Sequence, residues 1–182
     1  MMNQDSILIQ NHYFVPYIHK EEIQKRVAEI GKQLTEDYEY QRPLLLCMLN
    51  GAFIFAADLV REINTPSQIS FIKYTSYQKE KSSEQVNRLI GLNESIENRP
   101  VLIIEDIVDT GNTMFELLND LKSLNAKSIK IVSLLFKPSK LQKEITPDYI
   151  GFTIPDDFVI GYGLDYDGHG RYLKQIYRMK SE

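Results

Sequence analysis

Hydrophobic and polar positions along this chain follow two different periods, which predict strands in some segments and helices in others. Unbroken apolar runs at Leu44 to Leu49 and Val101 to Ile104 are typical of parallel strands that are buried on both faces. Apolar residues three or four positions apart predict helices from Glu21 to Tyr38, from Ala52 to Ile63 and from Met114 to Leu124. This alternation predicts an α/β fold whose central, mainly parallel sheet is flanked by helices.

The rest of the chain adds strands and one polar segment. Further strands are predicted at Ile69 to Tyr74, Ser128 to Phe136, Tyr149 to Ile154 and Phe158 to Gly161. The buried face of the last helix is predicted to consist of Phe115, Leu118, Leu121 and Leu124. The segment from Ser76 to Arg99 is polar with little apolar periodicity, and its composition leaves two alternatives open, a solvated loop or a mobile lid.

Size and charge narrow the class of protein. The 182 residues, 43% of them hydrophobic, suit one domain that spans residues 1–182 and has a sizeable core. A formal net charge of −4 and the lack of a Lys/Arg block argue against a nucleic-acid partner. Cys47 is the only cysteine, which excludes an intrachain disulfide and a multi-cysteine zinc site. No apolar run approaches the ~18 residues that cross a bilayer, so we expect a cytoplasmic protein without a membrane partner.

Residues 101–114, VLIIEDIVDTGNTM, carry the clearest chemical signal. The apolar strand is expected to run out at Glu105 and Asp106, and ligands of open α/β sheets bind beyond the carboxyl ends of the strands. Neighbouring carboxylates offer only acceptors, which suit two adjacent hydroxyl groups or, through water, a divalent cation. This pair therefore predicts a site for a diol and a metal ion.

The loop that follows predicts a phosphate site. Thr110 to Thr113 open a helix, whose free N–H groups and dipole favour an anion, and Gly111 lets the backbone approach it closely. Together with the acids, this loop predicts a ribose 5-phosphate as ligand. The simpler alternative is a helix merely capped by one of the threonines, although a cap does not require three clustered acids.

This segment resembles the phosphoribosyl-diphosphate (PRPP) binding motif of the type I phosphoribosyltransferases. The segments LNGAFIFAADL, TSY, LLFKPS and PDDFVIGYGLDY, followed by Arg171, resemble the hypoxanthine phosphoribosyltransferases, and the resemblance runs from about Leu44 to Tyr172. It implies a type I phosphoribosyltransferase fold with a small hood and a flexible loop over the active site. It also implies purine salvage, in which the 5-phosphoribosyl group passes from PRPP to a 6-oxopurine, hypoxanthine and probably guanine, to give IMP or GMP and pyrophosphate with Mg²⁺ as cofactor.

The resemblance also implies a role for individual residues. Asp109 matches the acid that accepts a proton from the purine, although an aspartate here is also favoured by the helix dipole alone. The residues that match those binding the ribose and metal are Glu105 and Asp106, and those that match the 5-phosphate site are Thr110, Gly111, Asn112 and Thr113. The matches for pyrophosphate binding are Asn50, Gly51 and Arg171. The matches for purine binding are Lys137, Phe158, Val159 and Asp165, of which Asp165 also matches a metal-binding acid, and Ser76 and Tyr77 match the flexible loop.

Some of these matches have ordinary structural alternatives. Lys137 would donate to the exocyclic oxygen of a 6-oxopurine and disfavour adenine, but a lysine at a strand end is often merely solvated. Phe158 would stack on the purine, but an aromatic in FVIGY is more often part of a core. The resemblance further implies a cis peptide between Leu49 and Asn50. Several relatives carry Lys or Arg where Asn50 stands, which puts the affinity for PRPP in question.

Two other functions fit parts of this pattern. A PRPP-sensing regulator would keep the pocket without catalysis, but such relatives often lack the acid at the position of Asp109 and carry a basic face. An orotate or adenine phosphoribosyltransferase would not match Lys137 and the segment FVIGYGLD. We expect a homo-oligomer, dimer or tetramer, and surface positions for His12, His19 and His169. The preference among hypoxanthine, guanine and xanthine stays open.

Overall fold

The computed structural model describes residues 6–76, 86–92 and 94–180. Its strands are β1 (Ile7–Ile9), β2 (His12–Ile18), β3 (Leu44–Met48), β4 (Gln68–Ser76), β5 (Val86–Ile90), β6 (Pro100–Val108), β7 (Ser128–Phe136), β8 (Tyr149–Thr153), β9 (Val159–Ile160) and β10 (Ile176–Met179). Its α-helices are α1 (Lys20–Asp37), α2 (Phe53–Glu62) and α3 (Asn112–Lys122), and Pro138–Lys140 forms a 3₁₀ turn. No described helix is long and apolar enough to span a membrane.

Six strands form the central sheet, in the order β5-β4-β3-β6-β7-β8. All neighbours are parallel except β5, which runs antiparallel to β4. Every residue of β3 is buried, as expected for a strand covered on both faces. Helix α1 packs on α2 and β8, α2 packs on β3 and β6, and α3 contacts β4. The predicted α/β fold is thus confirmed.

A second, antiparallel sheet has the order β1-β2-β10-β9 and corresponds to the expected hood. The sequence analysis did not predict β1, β2 or β10. Each is short or carries a proline, and much of β1 and β2 is exposed, so a clean hydrophobic alternation is lacking. The hood contains strands from distant parts of the sequence, because β10 pairs with β2.

Two features of the sheet and its helices differ from the sequence predictions. The segment from Ser76 to Arg99, predicted as a solvated loop or a mobile lid, contains strand β5, which pairs with the edge of β4. On α3 the buried residues are Met114, Leu117 and Leu121, whereas Phe115 and Leu124 are exposed. Steps of three residues drift around a helix with 3.6 residues per turn, so the predicted stripe cannot stay on one face. The predicted lid residues 77–85, including Tyr77, and the side chain of Ser76 lie outside the described part.

Candidate active site

Strand β6 carries the acidic pair and ends later than predicted. The parallel ladder with β7 continues from Glu105, opposite Ser133, to Val108, opposite Phe136. Glu105 and Asp106 therefore lie within the strand and not beyond it. The prediction placed the end of the strand at the first polar residue, but the backbone of β7 supplies partners for three more positions. Both acids line a cavity of about 260 Å³.

Burial controls the electrostatics of this acidic pair. It raises the pKa of Glu105 well above its ordinary value, and the negative charge of Asp106 raises it further. Burial also raises the pKa of Asp106, while the charge of Arg171 and a hydrogen bond from the backbone N–H of Ile107 (2.9 Å) oppose the rise. Ionisation of this pair is thus only partly compensated by the protein. A cation or hydroxyl donors would stabilise it.

The loop between β6 and α3 is open to a ligand at the helix end. Gly111 is the N-cap of α3 and adopts φ +79°, a left-handed conformation that favours glycine. Gly111 has no side chain to cap the helix, but the hydroxyl group of Thr110 accepts a long hydrogen bond from the N–H of Asn112 (3.4 Å), so the alternative of a capping threonine holds in part. Thr110, Gly111 and Thr113 line the same cavity as the acids. Asn112 does not line it, and its amide donates to Gln142 (2.9 Å), which holds the neighbouring loop.

The loop between β3 and α2 lies directly against the acids. A Cβ atom on Gly51 would come within 1.6 Å of a carboxylate oxygen of Asp106, so only glycine fits here. The Leu49–Asn50 peptide is cis, which confirms the prediction. Leu49 and Gly51 line the cavity, whereas Asn50 is exposed and its side-chain oxygen accepts a hydrogen bond from Lys73 (3.2 Å). The side chain of Asn50 is therefore not brought to the cavity.

Arg171 completes this side of the cavity. Its guanidinium forms an ion pair with Asp165 (2.7 Å) and donates to the carbonyl of Gly163 (2.6 Å). The other carboxylate oxygen of Asp165 accepts a hydrogen bond from the N–H of Gly168 (2.7 Å). The backbone of Gly163 in turn touches that of Gly51, because a Cβ there would meet the Gly51 carbonyl oxygen at 2.1 Å. The arginine is thus fixed beside the acids.

A second cavity, of about 240 Å³, shares one wall with the first. Its lining comprises Asp106, Ile107, Asp109, Lys137, Phe158, Val159, Leu164 and Asp165. Asp106, Ile107, Asp109 and Asp165 line both cavities, so ligands in the two cavities would meet at this wall. The structure therefore brings the residues predicted for the ribose and those predicted for the purine into one continuous site.

The alternative that Lys137 is merely a solvated lysine at a strand end is wrong. Only 4% of the residue is exposed, and its ammonium lies 3.5 Å from Asp109 and 3.6 Å from Asp156. Its backbone N–H donates to the carbonyl of Val108 (3.0 Å), the residue before Asp109. The lysine and the proposed base are thus held together at the ends of the adjacent strands β6 and β7.

Phe158 and Val159 form the hood side of the second cavity. Phe158 is 44% exposed and its ring lies edge-on to Tyr166, with ring centroids 5.5 Å apart. Val159 begins β9 and is buried. A half-exposed ring at a cavity wall is available for stacking, in contrast to the buried core position that the sequence alone favoured.

Sequence reasoning missed two charged residues at this site, Lys140 and Asp156. Lys140 lies 2.9 Å from Asp156 and 3.7 Å from Asp109. The only signals in the sequence are the repeated lysine of KPSK and the first acid of PDDF, both ordinary for exposed loops. His12, His19 and His169 are exposed, as predicted. In the described ranges, no three His, Cys, Asp or Glu side chains group closely enough to hold a metal by themselves.

The parallel sheet, the buried acids and the glycine loop at the start of α3 together define a phosphoribosyltransferase. A family model described as "Phosphoribosyl transferase domain" matches residues 17–167. The hypoxanthine-guanine phosphoribosyltransferase of Bacillus subtilis is 45% identical over 160 residues, 87% of this chain and 89% of that protein. A crystal structure of a hypoxanthine phosphoribosyltransferase from Staphylococcus aureus superposes with a TM-score of 0.87 at 39% identity, covering 91% of this chain and 90% of that one. This chain belongs to the hypoxanthine phosphoribosyltransferase family.

One similar protein is much longer. The bifunctional protein TilS/HprT of Listeria monocytogenes is 42% identical over 166 residues, which are 91% of this chain but 26% of that protein. The chain thus spans about a quarter of the length of this relative.

Proposed function

We propose that this chain transfers the 5-phosphoribosyl group of PRPP to hypoxanthine or guanine, forming the nucleoside monophosphate and pyrophosphate. A ring nitrogen of the purine forms the new bond to the anomeric carbon, the bond from that carbon to pyrophosphate breaks, and the nitrogen loses its proton. The observation that carries the proposal is the wall shared by the two cavities. This wall supports a site for a charged sugar phosphate directly beside a site for a flat base.

The first cavity supports binding of the sugar phosphate. Glu105 and Asp106 accept hydrogen bonds from the two ribose hydroxyl groups, which compensates their buried charge. The 5-phosphate binds at the N-terminus of α3, where the N-cap residue Gly111 has no side chain and the hydroxyl groups of Thr110 and Thr113 add donors. Asn112 supports this loop through its bond to Gln142.

The second cavity supports selection of a 6-oxopurine. The ammonium of Lys137 has three donors and no acceptor, so it binds the carbonyl oxygen of hypoxanthine and opposes the amino group of adenine. Phe158 stacks on the ring, and Val159 contacts its edge. Burial of Lys137 strengthens this discrimination, because a buried ammonium group that faces the amino group of adenine could not form hydrogen bonds to water instead.

Asp109 accepts the proton that the purine loses. Its Oδ2 faces Lys137, while its Oδ1 is shielded from solvent and accepts no hydrogen bond from the described part of the chain. Asp109 lines both cavities, and a carboxylate at the wall between a base and a sugar is suited to a proton transfer, which typically contributes a factor of about 10²–10⁴ in rate. Retention of this acid beside Lys137 favours the enzyme over a PRPP-sensing regulator.

The fit for Mg²⁺ rests on the acidic pair. Glu105 and Asp106 are oxygen ligands with uncompensated charge, and Mg²⁺ commonly binds through one or two carboxylates together with substrate phosphates and water. Both oxygens of Asp165 are already paired, so its predicted part in metal binding would act through Arg171 or water. When bound, the ion neutralises charge on the departing pyrophosphate.

Arg171 and the Leu49–Gly51 loop bind pyrophosphate. The guanidinium offers a planar set of donors for phosphate oxygens, and the backbone of Gly51 lies next to Asp106. Asn50 supplies no charge, so this site depends more on the arginine, the metal and backbone N–H groups than in relatives with Lys or Arg there. Closure of a loop rooted at Ser76 and Tyr77, and assembly into a homo-oligomer, belong to the same proposal.

The test is nucleotide formation from PRPP and Mg²⁺ with hypoxanthine, guanine, xanthine and adenine offered separately. We expect turnover of oxopurines but not of adenine. Asp109→Asn should lower kcat by at least about tenfold while PRPP binding, measured by calorimetry, is retained. PRPP binding by the wild type without turnover of any base would overturn the enzymatic proposal in favour of a sensor.

A further inference from the structure

Four charged side chains of alternating sign form a cluster at the wall of the purine cavity that Lys137 and Asp109 line. The ammonium groups of Lys137 and Lys140 each lie within 4 Å of both Asp109 and Asp156, at 3.5 and 3.6 Å for Lys137 and at 3.7 and 2.9 Å for Lys140. We propose that Lys140 and Asp156, to which no role has been assigned above, are positioning residues that fix Lys137, Asp109 and the Phe158 wall for purine transfer. This inference rests on the proposed function.

The backbone explains why two lysines of one short segment converge. Pro138–Lys140 is a 3₁₀ turn that follows Lys137 directly, and the N–H of Lys140 donates to the carbonyl of Lys137 (3.2 Å). Side chains three residues apart lie above one another in such a turn. Lys140 is therefore brought over Lys137, on the side where the two aspartates lie.

Asp156 connects this turn to the purine wall. The segment that carries it leaves the central sheet at Ile154, whose N–H donates to the carbonyl of Phe136 (2.9 Å). It reaches the hood at Phe158, whose carbonyl accepts from the N–H of Met179 (2.8 Å). Asp156 lies between these two anchors, and its ion pair with Lys140 ties the loop to the end of β7. The position of the Phe158 ring relative to Lys137 thus depends on this pair.

Charge balance gives the second reason for the arrangement. Two ammonium groups face two carboxylates, so the four groups of this cluster balance one another in charge. The contact with Lys140 lowers the pKa of Asp156, and the contact with Asp156 raises the pKa of Lys140, so both are charged near neutral pH. When Lys137 turns a donor to the purine carbonyl, Lys140 still compensates both aspartates.

Lys140 also lies nearest to the unused acceptor of Asp109. Its ammonium is 3.7 Å from Oδ1, the buried atom that accepts no hydrogen bond within the described ranges. This separation is too long for a hydrogen bond but short enough for attraction between the charges. Lys140 therefore restrains the carboxylate from the side of its buried oxygen without a hydrogen bond to it.

The experiment compares Lys140→Met, Asp156→Asn, the double variant and Lys140→Arg in steady-state assays with hypoxanthine and PRPP. We expect Lys140→Met to lower kcat/KM for hypoxanthine by about 5- to 20-fold, with KM for PRPP within about twofold of the wild type. Lys140→Arg should recover most of this loss, because it keeps the charge. The double variant should be little worse than either single variant, since both remove the same contact.

The matched control is Lys130→Met. Lys130 forms a comparable ion pair with Asp148 (2.7 Å) near the opposite end of β7, far along the strand from Lys137. Its loss should leave both KM values unchanged. A loss of hypoxanthine kcat/KM below twofold for Lys140→Met, an equal loss for Lys130→Met, or fully additive effects in the double variant would each overturn the inference.

Binding of the product IMP separates this inference from the proposed function. If the wild type binds IMP but makes no nucleotide, the proposed enzymatic function fails. Weaker IMP binding by Lys140→Met than by Lys130→Met would then still support the positioning role, whereas equal IMP binding by the two variants would overturn it. A wild type that neither turns over nor binds IMP would overturn both.

Discussion

The two cavities of the site are built in opposite ways. The cavity proposed for the sugar phosphate takes its main groups from one continuous stretch, Glu105 to Thr113, and its carboxylates carry negative charge that the protein leaves partly uncompensated. The cavity proposed for the purine is assembled from distant segments, and Asp109 in its lining is paired with Lys137 and Lys140. Under the proposed function this difference matches the ligands, because PRPP would bind together with Mg²⁺ whereas a purine is neutral. The acidic pair of the first cavity would gain its partners from the ligand, whereas Asp109 already has its partners within the protein.

Gly51→Ala should have the largest effect, because it disrupts the cavity proposed for the sugar phosphate. The added Cβ would lie 1.6 Å from Asp106 Oδ2, so the loop or the carboxylate must move by more than 1 Å. A displacement of this size in a catalytic site can cost about 100-fold, so we expect kcat/KM for PRPP to fall by at least about 100-fold. Steady-state kinetics with saturating hypoxanthine measure it.

Gly31→Ala is the matched control for this glycine. Its Cβ would also collide, at 2.4 Å from the Cβ of Glu62, but at the contact between α1 and α2 and outside the site. It should lower the melting temperature by several degrees and leave kcat/KM of the folded protein within about twofold. The interpretation of Gly51 would be wrong if the two variants lost activity equally.

Lys137→Ala should impair the cavity proposed for the purine, with a smaller effect that is selective for the purine substrate. It removes a charged donor from the purine carbonyl, a contact worth about 1.5–3 kcal/mol, so kcat/KM for hypoxanthine should fall by about 10- to 100-fold. KM for PRPP should change by less than about threefold, because the lysine does not line the first cavity. The relative activity with adenine should rise. Equal losses for both substrates would show that the two cavities do not act separately.

The same contrast explains which parts of the site were predictable. The acids and the glycine loop are consecutive in the sequence, so their order alone predicted a phosphate site at a helix end. Lys140 and Asp156 come together only through a 3₁₀ turn and a loop from another strand, which no local pattern reports. The burial of Lys137 was likewise undecided, because it depends on residues from separate segments.

The fold shows the same division between local and non-local information. Strand Ser128–Phe136 was predicted with its observed bounds, because it carries a mainly apolar run that is buried from Ile131 to Phe136. Strand β5 was missed, because this short edge strand lies in a mostly polar segment and is defined by its pairing with β4. The end of β6 was also misplaced, since the ladder with β7 carries the strand through Glu105 and Asp106, where the sequence predicted its end.

Glu105→Gln should reveal the uncompensated charge directly, through stability and not only through activity. The pKa of Glu105 in the folded protein lies above its ordinary value of 4.5, so the folded state binds a proton more tightly than the unfolded chain does. The wild type therefore loses stability as the pH rises from about 4.5 towards the folded pKa, whereas a glutamine has no proton to lose. We expect equal melting temperatures for the two proteins near pH 4 and a value at least about 2 °C higher for the variant at pH 8.

Glu116→Gln, at an exposed position of α3, is the control and should follow the wild type at both pH values. If Glu105→Gln is not more stable than the wild type at pH 8, the charge of the acidic pair is compensated within the protein, and the contrast between the two cavities does not hold.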